Sequence, residues 1–135
     1  MNILMAGGGR LGRQAMSVLA AAGNDVTVIE IDDEIAEALR TDFADRGIRV
    51  VFGDACDPVL LEEAGCLRAD AMVAVTGDDE DNLVIGLLAK RQFRVPRVVA
   101  RINDPENASL FGETWGIDAS VSAPITLMSD RKSVV

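Results

Sequence analysis

Residues 7–12, Gly7-Gly8-Gly9-Arg10-Leu11-Gly12, constrain this chain more than any other stretch. An apolar run, Ile3-Leu4-Met5-Ala6, leads into the turn. A helical pattern leaves it, with Leu11, Ala15, Val18, Leu19 and Ala22 on one side. Val26-Thr27-Val28-Ile29-Glu30 then supplies a β-branched run that ends on an acid. Strand, glycine turn, helix, strand, carboxylate is the context in which G-x-G-x-x-G points to a nucleotide site. Gly7, Gly9 and Gly12 occupy its three glycine positions. The first permits a tight turn, the second lets backbone approach a phosphate, and the third lets the helix pack close to the strand. Free N–H groups and the dipole of the helix that starts there favour an anion.

The same alternation runs through the whole chain. Strands are expected at Asn2–Ala6, Asp25–Glu30, Arg49–Gly53, Ala71–Thr76, Arg97–Arg101 and Ala119–Val121. Helices are expected at Leu11–Ala22, Asp33–Arg46, Pro58–Ala64, Glu80–Phe93 and Pro105–Thr114, with a last short one beginning near Pro124. Strands one, two, four and five are apolar almost throughout, as in a parallel sheet buried on both faces. Short loops and right-handed crossovers then predict a Rossmann-like, doubly wound α/β domain with six parallel strands in the order 3-2-1-4-5-6. Such sheets bind ligands beyond the carboxyl ends of their strands, where the strand order reverses.

The residues at those ends are the candidate site. Glu30 lies 23 residues after Gly7 and ends strand two. A carboxylate there accepts hydrogen bonds from the hydroxyls of an adenosine ribose and repels a 2′-phosphate, which disfavours NADP. Asp32 either assists Glu30 or caps the next helix. Arg10 either reaches phosphate, favouring a triphosphate or another densely charged ligand, or is a solvated surface arginine. Asp54 and Ala55 follow strand three, where loops approach adenine; Asp54 serves equally as a turn or capping residue. Thr76 and the Gly77 backbone can line the cleft after strand four. Asp78 opens an acid run, Asp78-Asp79-Glu80-Asp81, read first as a dipole-stabilised helix start. Arg101 ends strand five, where a charge at an apolar sheet edge needs a partner, a phosphate or a carboxylate across the cleft.

Composition narrows the function. With 22 acids against 13 bases the net charge is −9, which argues against a nucleic-acid binder. No apolar run approaches the ~20 residues of a membrane span, and the N-terminus lacks a signal-peptide layout, so the expected location is cytoplasmic. Cys56 and Cys66, the only thiols, are expected reduced. There is no His and no Tyr, hence no imidazole general base and no Tyr–Lys pair of a carbonyl reductase. No metal-ligand set stands out.

The chain resembles the N-terminal RCK (regulator of potassium conductance) domain, also called TrkA-N. The matching stretches are Gly7–Gly12, Val28-Ile29-Glu30, Gly53-Asp54-Ala55, Ala69-Asp70-Ala71, Ala74–Glu80 with Asn82-Leu83, Val95–Arg101, Gly116-Ile117-Asp118 and Ser122-Ala123-Pro124. The resemblance implies binding of NAD(H), ATP or ADP, homodimers that assemble into a ring, and a membrane-embedded potassium channel or transporter as partner. It implies that Gly7, Gly9, Arg10, Leu11 and Gly12 hold phosphates and that Glu30 holds ribose. Asp54 and Ala55 would flank adenine, and Thr76, Gly77 and Arg101 would close the cleft. Two departures stand out. The C-terminal RCK subdomain is expected to be absent, leaving a single-domain member or a fragment. The position where some members carry a cation-binding acid is Ile125.

The mechanism so implied is differential binding to two ring shapes, without bond chemistry. The alternative is the cofactor half of an NAD-dependent oxidoreductase. That would require a substrate pocket and an acid/base group, and the only lysines, Lys90 and Lys132, are expected on solvent faces. A ligand-free adaptor is the third reading, opposed by Gly7, Gly9, Gly12 and Glu30 in register.

Overall fold

Six strands lie side by side and parallel in the order β3-β2-β1-β4-β5-β6. They are β1 (Asn2–Ala6), β2 (Asp25–Glu30), β3 (Arg49–Phe52), β4 (Ala71–Ala74), β5 (Arg97–Arg101) and β6 (Ala119–Val121). The computed structural model describes residues 1–122. The expected helix near Pro124, Ile125 and Lys132 lie outside the described residues.

Alternation along each strand divides the core in two. From β1, Ile3 and Met5 face α1 (Arg10–Ala21) and α2 (Asp33–Asp42), packing with Met16 and Leu39. Leu4 and Ala6 face α3 (Pro58–Glu63) and α4 (Asp79–Leu87), packing with Leu61, Leu83 and Ile85. Each of the larger side chains among them (Ile, Leu and Met), fully buried, stabilises the fold by about 1.5–3 kcal/mol. The register sets Ala6 beside both Ile29 and Ala74, Glu30 beside Phe52, and Ala74 beside Ala100. One edge of the sheet therefore presents the loops after β1 to β5 together.

Strand and helix order agree with expectation, and the differences are local. β3 stops at Phe52 because Gly53 turns to φ +157. β4 stops at Ala74, two residues early, where the chain bends towards α4. The helix expected at Asp33–Arg46 is α-helical only to Asp42, and a short 3-10 turn at Ala44–Arg46 ends on left-handed Gly47. The helix expected at Glu80–Phe93 widens into a π segment over Leu88–Gln92. The single helix expected at Pro105–Thr114 is two 3-10 turns, Pro105–Leu110 and Glu113–Trp115, interrupted where Phe111 is buried and Gly112 is extended.

Lys90 corrects another expectation. Its side chain is only 24% exposed, and Nζ donates to Asp118 Oδ2 (2.6 Å) and to the Pro96 carbonyl (2.9 Å). Asp118 Oδ2 also accepts the Val98 N–H (2.7 Å), tying β6 to β5. Burial tends to raise the Asp118 carboxyl, but the hydrogen bonds from Lys90 and Val98 outweigh it and hold it below the ordinary 3.8. Both cysteines are free thiols, and burial, joined at Cys56 by the Asp81 and Asp54 charges, pushes each up to about 12.

Candidate functional site

The loops gathered at that edge enclose a cleft of about 330 Å³. Gly7–Gly9, Glu30, Gly53–Cys56, Thr76-Gly77 and Arg101 line it, with Ile31 and Ile35 at its mouth. Expected residues from five separate loops meet there, whereas Arg10, Leu11, Gly12, Asp32 and Asp78 do not line the cleft.

The four glycines of the first loop answer to different demands. Gly7 has φ +106, and a Cβ there would lie 2.9 Å from the Val75 carbonyl. At Gly12 it would lie 2.1 Å from the Gly7 oxygen, so helix and turn approach too closely for any side chain. A Cβ on Gly8 would strike Leu39 Cδ1 at 2.4 Å. Gly9 differs: its φ of −72 suits any residue, and nothing lies within 4 Å of a Cβ built there. The fold has no need of glycine at position 9, whereas a phosphate approaching the backbone does. Gly9 is also the N-cap of α1, which has no side-chain cap and no acid in its first turn. The helix presents bare N–H groups and the positive end of its dipole to the cleft.

Glu30 is 7% exposed and held from two sides. Oε1 accepts the Gly8 N–H (2.7 Å) and Oε2 accepts the Asp32 N–H (2.8 Å). Each carboxylate oxygen retains a further lone pair, so the group is oriented and still able to accept. Asp32 caps α2 through Oδ1 and the Ile35 N–H (3.1 Å). Asp54 Oδ1 accepts the Cys56 N–H (2.9 Å), a turn contact, and Ala55 is buried beside it. Leu11 packs its side chain against the core on the α1 side, leaving only its backbone for a ligand. Arg10 is exposed and lines a shallower groove between α1 and α2, next to the cleft.

The far wall is tied together from within the protein. Asp78 caps α4 by accepting the Asp81 N–H (3.0 Å), and Gly77 has open space where a Cβ would stand. The Thr76 hydroxyl donates to Asn82 Oδ1 (2.7 Å). Asp79 accepts from the backbone N–H groups of Asn103 (2.6 Å) and Asp104 (2.8 Å) and from the Asn103 and Asn107 side chains. Burial tends to raise the Asp79 carboxyl, but these hydrogen bonds prevail and lower it. Arg101 reaches the cleft with no ion pair among the described residues, and its buried Nε has no hydrogen-bond partner. A buried guanidinium N–H without a partner is costly, and an anion in the cleft supplies one.

Sequence reasoning did not assign roles to Gly8, Ile31, Ile35 or Asn82. Asn82 had a signal: it falls on the helix face that carries Ile85, Gly86 and Ala89, an amide in a buried stripe. Ile31, 64% exposed directly after Glu30, was the other. Among the described residues no group of three His, Cys, Asp or Glu is placed to hold a metal, and no helix is long and apolar enough to cross a membrane.

The family model of the TrkA-N domain matches residues 3–123. The chain is 43% identical over 129 residues to the Trk system potassium uptake protein TrkA of Mycobacterium tuberculosis, covering 96% of this chain and 57% of that protein. It is 34% identical over 122 residues to a TrkA homolog of Methanothermobacter thermautotrophicus, covering 90% and 54%. The chain thus spans little more than half the length of these relatives. Among solved structures, the TrkA-N domain of the inner membrane protein ybaL of Escherichia coli superposes with a TM-score of 0.84 at 19% identity, covering 99% and 96%. The GsuK channel bound to NAD superposes at 0.76 with 21% identity, covering 89% and 21%. The Kef C-terminal domain of Shewanella denitrificans in its AMP-bound form superposes at 0.74 with 22% identity, covering 99% and 81%. At these identities the structures establish the shared fold. TrkA-N is a regulatory domain family of potassium uptake systems and not an enzyme family. By its sequence, this chain belongs to the TrkA-N domain family.

Proposed function

We propose that the chain is an adenine-nucleotide sensor, the ligand-binding regulatory domain of a potassium uptake system. The observation that carries this is the pairing of an uncapped α1, open at Gly9, with an Arg101 whose buried Nε has no partner among the described residues, across one cleft. The N–H groups from Gly9 to Gly12, with Gly7 shaping the turn, hold the phosphates. Glu30 accepts from ribose hydroxyls and excludes a 2′-phosphate, so NAD(H), ATP, ADP or AMP fits and NADP does not. Ile31, Ile35 and Ala55, with the Asp54 backbone, give adenine an apolar slot. Thr76 and Gly77 form the opposite wall, and Arg101 neutralises phosphate charge. Asp32 and Asp78 act as helix caps rather than ligand contacts. Arg10, beside the loop, contacts only a ligand with more phosphate than a diphosphate.

Nothing in this arrangement breaks or makes a bond. The ligand acts by binding two arrangements of an assembly unequally. The partners that follow are a second copy of the chain within a ring and a membrane-embedded potassium-transport subunit, with the domain at the cytoplasmic face. The relatives named for potassium uptake and the structures holding NAD or AMP support this reading.

The test is calorimetric titration of the chain with NADH, NAD, ATP, ADP and AMP, on wild type and Gly9→Ala. Saturable binding of at least one nucleotide, lost in Gly9→Ala while the melting temperature holds, is expected. Wild type that binds none of the five ends the proposal. Turnover of a common alcohol or hydroxy acid with NAD would support the oxidoreductase alternative.

A further inference from the structure

Arg101 stands on backbone that the sheet holds from one side only. Towards β6 it is paired with Val121, and the Ile102 N–H donates to the Val121 carbonyl (2.8 Å). Towards β4 the ladder ends at Ala74 and Ala100, and the two chains part. Asn82 fills the gap. It is 0% exposed, and Oδ1 accepts the Thr76 N–H (3.0 Å) and the Thr76 hydroxyl (2.7 Å). Nδ2 donates to the carbonyls of Thr76 (3.1 Å) and Arg101 (3.0 Å). All four hydrogen-bonding capacities of the amide are used.

Asp79, three residues earlier in α4, grips the other side of Ile102 through the Asn103 and Asp104 N–H groups. The first turn of α4 therefore holds the backbone both before and after Ile102. Core filling does not explain an amide here, since its neighbours on that helix face, Ile85 and Ala89, are apolar. What the amide adds is direction, a fixed position for the Arg101 and Thr76 backbones from which their side chains reach the cleft.

We infer that Asn82, seconded by Asp79, is a positioning residue that sets Arg101 and Thr76 for the ligand's phosphates while touching no ligand itself. The inference rests on the nucleotide reading above. It requires Asn82 to matter for the phosphate part of a ligand and not for its nucleoside part.

The experiment measures binding of ADP by calorimetry and of adenosine by NMR titration to the full chain. The proteins are wild type, Asn82→Leu, Asp79→Asn, Arg101→Gln and the double variant Asn82→Leu/Arg101→Gln. Asn82→Leu is expected to weaken ADP about tenfold or more and adenosine less than twofold. In the Arg101→Gln background it should weaken ADP by a clearly smaller factor, the part that acts through Thr76. Asp79→Asn, which keeps side-chain shape on a partly buried site, should follow in the same direction by a smaller factor, and it carries the test should Asn82→Leu fail to fold. Equal losses for both ligands, an additive double variant, or unchanged ADP affinity in both single variants overturns the inference and leaves the nucleotide reading intact. Wild type that binds neither ADP nor adenosine overturns the inference, and the nucleotide reading falls with it only if NADH, NAD, ATP and AMP also fail to bind.

Discussion

Two helices begin on the same cleft, from the neighbouring central strands β1 and β4, and they begin in opposite ways. α1 starts on glycines, with no side-chain cap and no acid in its first turn. α4 starts on an Asp78 cap with Asp79, Glu80 and Asp81 in its first turn. Both carry the same dipole. At α4 it is answered from within, by carboxylates that also bind the loop after β5. At α1 it is left unanswered, together with the Arg101 Nε, which has no partner among the described residues. The contrast teaches that a helix start becomes a binding site when the chain withholds its own anions, and becomes scaffold when it supplies them.

Four substitutions or conditions break or sharpen this contrast. The largest effect is expected at Gly12→Ala, where the new Cβ would meet the Gly7 oxygen at 2.1 Å. Overpacking against backbone costs about 3 kcal/mol or more, so thermal unfolding should shift down by roughly 10 °C. Gly9→Ala, three residues away, should leave the melting temperature within about 2 °C, since nothing in the fold occupies that space. Its nucleotide affinity should fall at least about tenfold, or about 1.4 kcal/mol. A Gly9→Ala protein that binds as wild type would remove α1 from the site.

Asp78→Ala inverts that pattern. Loss of the cap should cost about 1 kcal/mol of stability, with ADP affinity within about twofold of wild type. The smallest effect is in acid. Asp79 and Asp118 lie below the ordinary carboxylate value of 3.8 in the folded protein. Their stabilisation is complete above that value and is lost as pH falls through their lower folded values. Melting temperature should therefore decline from pH 5 to pH 2.5, less steeply in Asp79→Asn. Gly9→Ala should keep the wild-type slope, because the start of α1 holds no carboxylate.

Much of this was legible in residue order. The glycine spacing, the acid ending β2 and the apolar runs placed all six strands, the sheet order and the five loops of the cleft. Asp32 was readable as a cap because an aspartate before a helical pattern has a local partner within three residues, and Asp78 was readable only as part of an acidic helix start. Asn82 carried no such meaning, since its partners at Thr76 and Arg101 depend on how β4 and β5 separate. The segment after Pro105 read as one helix from its spacing alone. Burial of Phe111 and the approach of Ile117 to Gly86 broke it into two turns.

Lys90 marks the same boundary. Helical spacing placed it outward, but Asp118, 28 residues away, and the Pro96 carbonyl draw it against the sheet edge. Sequence by itself determined what acts over a few residues: hydrophobic period, turn glycines, caps, and the acid at a strand end. Tertiary structure decided which polar groups are left over once the fold has taken its own. Hydrogen bonds between distant segments are set by packing of the whole sheet, and only they leave Gly9 open and Arg101 Nε unpaired among the described residues.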